Sequence, residues 1–183
     1  GLIAFDTFGA GDDYYKMSPY GVDGSSAWQA FRFVPTESGR LDAITVALGR
    51  TGTDTVETQF NLYDGTGTAL GNLLESITVP NTVTPGLPGA VVSFDSVVRP
   101  TLISGAGYWL SHTEPGAADG SDSLWFPNNQ GIGGTRLTSA LPAADASLPA
   151  FRVELDVVPV PGAALLGVLG LSVAGWRLRH RTT

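Results

Sequence analysis

The chain contains no cysteine. That excludes disulfides, thiolate nucleophiles, zinc-finger ligand sets and iron–sulfur clusters together. Histidine occurs twice, at His112 and His180, so His-rich metal sites and most imidazole-based catalysis lack the residues they need. Lysine occurs once, at Lys16, and charged residues fill 15% of the 183 positions; an average soluble domain holds about 25%. No stretch before the C-terminal tail keeps a helical period over several turns. With 24 glycines and 12 prolines, the composition disfavours an all-α fold. The length is enough to bury a core without covalent cross-links.

What is present is a series of short apolar runs punctuated by Gly, Pro, Asp and Asn. In 56–63 (VETQFNLY), Val56, Thr58, Phe60 and Leu62 alternate with Glu57, Gln59, Asn61 and Tyr63, as in a half-buried antiparallel strand. In 41–48, Leu41, Ala43, Thr45 and Ala47 alternate with Ile44, Val46 and Leu48; in 27–34, Trp28, Ala30 and Arg32 oppose Phe31 and Phe33. Further strands are predicted over 74–79, 90–94, 97–102, 107–113, 123–126 and 150–157, with a single helical turn over 70–76. Turn signals such as Asp64-Gly65, Ser104-Gly105 and Asp119-Gly120 separate them. The predicted fold is all-β, an antiparallel jelly-roll-like β-sandwich of about nine strands over residues 1–158.

Residues 159–183 read differently. All 17 acidic residues lie at or before Asp156, whereas Arg177, Arg179 and Arg181 close the chain. An acidic body repels phosphate backbones, which argues against nucleic-acid binding. From Gly162 to Trp176 there is no charge. As a helix this run is roughly 22 Å long, short for a bilayer core of about 30 Å. Trp176 and the arginines extend it by sitting at the interface. A single C-terminal transmembrane helix is expected, with the arginines cytoplasmic and residues 1–158 outside. Gly1-Leu2-Ile3-Ala4-Phe5 is too short for a signal peptide, so the chain is expected to begin just after a removed export signal, or to be a fragment.

The sequence VVPVPG, followed by AALLGVLGLSVAGW and RLRHRTT, resembles the PEP-CTERM sorting signal in its VPxPA variant. The sorting motif is Pro159, Val160, Pro161 and Gly162, with Val160 where the common form has glutamate; Trp176, Arg177, Arg179 and Arg181 flank the membrane. The body carries FDTFGAGDDYY, LDAITVALGRTGTDTVETQFNLYDGTGTALGNLLES, LISGAGYWLS, SLWFPNNQGIGG and AFRVE in that order. Together these resemble the choice-of-anchor exported domains, type R. The two resemblances imply export in a Gram-negative bacterium, an inner-membrane-anchored precursor, a sorting peptidase of the exosortase kind as partner, and a mature form at the cell surface or outside the cell. They imply no reaction.

Several residues are candidates for chemistry. Trp125 and Phe126, with Tyr108 and Trp109, offer flat faces for sugar rings, and Asn128, Asn129 and Gln130 offer hydrogen bonds. Alternation along 107–113 sends one of Tyr108 and Trp109 inward, so Trp28 and Trp109 are expected in the core and Trp125 at the surface. Asp119 and Asp122, with Asp64, are candidate ligands for a structural calcium ion, although Asx turns explain the same residues without metal. No other cofactor is expected. His112 beside Ser111 or Ser104 lacks the G-x-S-x-G elbow of a hydrolase. Glu154 and Asp156 share a strand face that solvation alone explains. The leading expectation is a non-enzymatic structural or adhesive protein linked to exopolysaccharide. The alternatives are a carbohydrate-binding module and a glycan-active enzyme.

Overall fold

Strand β4 (Gly39–Arg50) organises the molecule. One edge pairs with β13 (Phe151–Asp156) and then with β10 (Asp122–Trp125); the other pairs with β8 (Thr101–Leu102) and β7 (Ala90–Asp95). Strand β1 (Leu2–Asp6) lies outside β13, and β2 (Tyr20–Asp23) outside β10, giving a seven-stranded sheet. The second sheet has six strands in the order β12 (Ala144–Ser147), β11 (Gly133–Thr138), β3 (Trp28–Phe33), β9 (Tyr108–Thr113), β5 (Thr58–Asp64) and β6 (Leu73–Val79). All the pairings are antiparallel. This computed structural model describes residues 1–23, 27–52, 57–65, 67–79, 88–115, 122–140 and 144–156; of Asp23 and Asp122 it describes the backbone alone.

The sheets share one core, as the expected all-β, sandwich-like fold requires. Ile44, Val46, Leu48, Phe151 and Val153 of the larger sheet meet Phe31, Phe33, Phe60, Leu62 and Leu110 of the smaller one. The alternation in 41–48 is right for Ile44, Val46 and Leu48 but breaks at Leu41, which lies in the same core. The cause is a bulge: Glu154 pairs with Ala43 and Leu155 with Leu41, leaving Asp42 as the extra residue. Such a bulge shifts parity by one, so Leu41 and Ile44 share a face.

A second, smaller core covers the outer face of the seven-stranded sheet. Phe8 and Tyr14, from the loop after β1, pack there with Ala47, Leu124, Phe126 and Ala150. Arg152 fastens this loop, donating to Asp6 at 2.8 Å and to Asp12 at 2.6 Å, with its guanidinium 5.6 Å from the Phe8 ring centroid. Residues 7–15 of the FDTFGAGDDYY motif are therefore a packing loop, and its Phe5 and Asp6 end β1.

Among the described residues thirteen strands replace the predicted nine. Strands β1, β2, β11 and β12 are additional, and 70–76 holds the end of a loop and the start of β6 in place of a helical turn. Only Thr101 and Leu102 of the predicted 97–102 strand are extended in the sheet; residues 96–99 form a turn held by Glu75 of β6. Among the described residues no helix is long and apolar enough to cross a membrane. The apolar tail lies outside the described residues, and with it Pro159, Val160, Pro161, Gly162, Trp176, Arg177, Arg179 and Arg181.

Candidate functional site

The structure does not bring the expected sugar platform to the surface. Trp125 is 0% exposed and stands between the sheets, its ring edge-on to Phe31 and Phe60 at 5.3 and 5.2 Å, and its Nε1 donates to the Ala150 carbonyl at 3.1 Å. Phe126 is fully buried in the second core. Asn128 is spent on the loop it opens: Nδ2 donates to the Ile132 and Leu148 carbonyls, and Oδ1 accepts from the Gln130 and Ile132 amides. Asn129 and Gln130 are exposed, but Asn129 Nδ2 donates to Asp13 and Gln130 Nε2 to Asn129 Oδ1, tying both to the N-terminal loop. The expectation that Trp28 belongs to the core is corrected at the same time. Trp28 is half-buried on the outer face of the six-stranded sheet, while Trp109 is fully buried although it points to that same face.

Register explains this second face. Trp28 pairs with Thr113 and Thr113 with Gln59. One step along, Ala30, Ser111, Asn61 and Ser76 form a row across β3, β9, β5 and β6. The next row is Arg32, Trp109, Tyr63 and Leu73. Directly opposed residues share a face, so all of these side chains point away from the core. Ser76 Oγ donates to Asn61 Oδ1, and Asn61 Nδ2 donates to Ser111 Oγ at 3.3 Å.

The loop after β5 folds over part of this face. Asp64 accepts from the Asn72 amide at 2.5 Å and from Asn72 Nδ2 at 3.0 Å, and these bonds hold its carboxyl below the ordinary range. Gly71 is required here, because a β-carbon would overlap Asp64 Oδ1. The closed loop sets Gly65 against the Trp109 ring and brings Leu70 over the sheet. A cleft of about 280 Å³ remains, lined by Trp28, Asn61, Tyr63, Leu70, Ser111 and Thr113.

A second polar constellation lies inside. His112 of β9 is fully buried, with Nε2 2.7 Å from Ser123 Oγ on β10 and its ring stacked on Phe60 at 5.2 Å. Ser123 Oγ is also 2.9 Å from Thr58 Oγ1 on β5, and the Ser123 amide donates to Glu114. Burial lowers the imidazole pKa to about 3, so His112 is neutral at ordinary pH. Its Nδ1 has no hydrogen-bond partner among the described residues. Since a buried N–H without an acceptor is costly, the proton belongs on Nε2, which donates to Ser123. A serine nucleophile needs the reverse: an imidazole that accepts the serine proton, with Nδ1–H held by a carboxylate. The three side chains instead form a hydrogen-bonded tie between the two sheets.

Among the described residues no group of three or more His, Asp and Glu side chains is arranged to hold a metal ion. Asp119 lies outside the described residues, the backbone of Asp122 pairs with Asp23, and the Asp64 carboxylate serves Asn72. Compared with known protein families and with curated proteins, the chain matches none.

Proposed function

We propose that the chain is an exported, non-enzymatic protein that works by contact at the cell surface or in the exopolysaccharide matrix. Its jelly-roll-like body would be carried by an apolar C-terminal helix that anchors the precursor in the inner membrane. A sorting peptidase of the exosortase kind would then act at Pro159–Gly162. The observation that favours contact over catalysis is the placement of His112. It is the sole histidine of residues 1–158, and it is sealed between the sheets with its proton committed to Ser123. The uncharged 162–176 run followed by three arginines supports the anchored precursor. Fractionation of producing cells tests the reading. The chain is expected in the inner-membrane and the surface or extracellular fractions; confinement to the cytoplasm would refute it. Incubation with exopolysaccharide is expected to leave polymer length unchanged, and steady depolymerisation would favour the glycan-active alternative.

A further inference from the structure

We infer that the cleft on the outer face of the six-stranded sheet binds a neutral glycan. Trp28 and Tyr63 supply aromatic faces, and the hydrogen-bonded Asn61–Ser111 pair supplies the polar floor between them. The inference deepens the contact reading above and rests on it for the class of ligand, but its geometry is independent of the tail.

Three features select this chemistry. First, Trp28 and Tyr63 are half-buried on a face whose third aromatic residue, Trp109, is fully covered by its neighbours. They stand on β3 and β5, on either side of β9, in rows two same-face steps apart. By strand geometry that separates their Cα atoms by roughly 10 Å across the sheet and roughly 14 Å along it. Such rings can lie against the C–H faces of sugar units while the floor meets the hydroxyls.

Second, the floor is built of groups that both donate and accept. Asn61 is 7% exposed and Ser111 2%, and they are bonded to each other. That bond fixes the amide with Oδ1 toward Ser76 and Nδ2 toward Ser111. An amide so held keeps a second N–H and a second lone pair for a ligand, and the hydroxyls of Ser111 and Thr113 add to the set. Preset hydrogen-bonding groups on a rigid sheet bind with little ordering cost.

Third, none of the six lining residues carries a charge, although the body holds 17 acidic and seven basic residues. A nucleotide or an anionic polymer would need a cation in the cleft. A ligand made of neutral hydroxyls and C–H faces does not. The volume of about 280 Å³, just below the roughly 300–1,000 Å³ range of small-molecule pockets, fits a short stretch of chain held along an open groove.

The test uses the full chain with cellohexaose, mannohexaose and a linear galacto-oligosaccharide, and polygalacturonate as the anionic control. Saturable binding of at least one neutral oligosaccharide is expected, unchanged when salt is raised about tenfold. Trp28→Ala and Tyr63→Ala should each lower affinity about tenfold or more. Leu70→Arg, which fills the cleft from a loop and leaves the strands intact, should do the same while near-ultraviolet circular dichroism stays native. No binding of any neutral oligosaccharide, binding of polygalacturonate alone, or full-strength binding by Leu70→Arg would each overturn the proposal. Its failure is separable from failure of the contact reading. A chain that stays in the surface fraction but binds none of these sugars loses the cleft and keeps the contact role; a cytoplasmic chain loses the contact role whatever it binds.

Discussion

The Thr7 hydroxyl and the Phe151 amide, 144 positions apart, meet at 2.8 Å inside the protein. The same hydroxyl lies 2.7 Å from the Pro149 carbonyl, so it accepts from one side of the turn before β13 and donates to the other. Thr7 is fully buried, and water cannot replace it. Thr7→Val keeps the shape and removes both bonds. It is expected to destabilise by about 1–3 kcal/mol, whereas Thr7→Ser should lose less. Urea unfolding of the three proteins decides this, and equal midpoints for Val and wild type would refute it.

Stability should fall in mild acid because of His112. Its folded pKa, about 3, lies below the ordinary 6.5, so below pH 6.5 the unfolded chain takes up a proton that the native state refuses. The contribution is constant above that pH and declines as pH falls toward the folded value. Between the ordinary pKa and about pH 5 the loss is about 2 kcal/mol. Carboxylates add their own acid dependence, so the informative quantity is the difference from His112→Gln. That variant is less stable at neutral pH but should have a shallower slope through this window; parallel slopes would contradict the assignment.

Glu75 ties the two sheets at one edge. Its carboxylate, 3% exposed, accepts from Ser96 Oγ at 2.5 Å and from the Val97 and Val98 amides at 2.7 and 2.9 Å. Glu75→Ala strands three donors and is expected to cost about 3 kcal/mol. Glu75→Gln keeps the oxygen that serves the two amides and should cost less. Limited proteolysis should cut the 96–99 turn first in the alanine variant. Equal protection of wild type and variant would count against this role.

Trp125→Ala and Trp28→Ala should separate cleanly. The first empties a core site and is expected to cost about 3–5 kcal/mol. The second acts at a half-buried outer position and should cost less than half as much. Thermal melts in parallel check the ranking, and a reversed order would mean that the two faces are misassigned.

How much of this was legible in the sequence depended on how local the signal was. Alternation assigned Phe31 and Phe33 to one face and Trp28, Ala30 and Arg32 to the other, and the pairings agree. Alternation does not say which outer face is covered. Both are covered in part, so Trp109 and Phe126 are buried outside the main core while Trp28 is partly open. Trp125 was misplaced because a glycine- and asparagine-rich neighbour reads as a surface loop, whereas Asn128 folds that loop back onto itself. Strand β11 was hidden by its two leading glycines, and Leu41 by a bulge that only the partner strand reveals. The cleft joins residues from three strands and a loop, and no short motif announces it. Its one trace was Asn61 and Tyr63 on the polar side of 56–63, since Trp28 reads from the sequence as a core residue.

Strand β13 lies between β1 and β4, so the first described strand has no place in the sheet until the last described strand has arrived. Leu2 waits for Leu155, and Thr7 waits for Phe151. Contacts this distant in sequence form late and slowly. Were such a chain threaded through a membrane N-terminus first, β1 would stay unpaired until residues 151–156 were through, although the six-stranded sheet needs nothing from that strand. The larger sheet would then close on the far side, and its closing strand would act as a timer built into the topology.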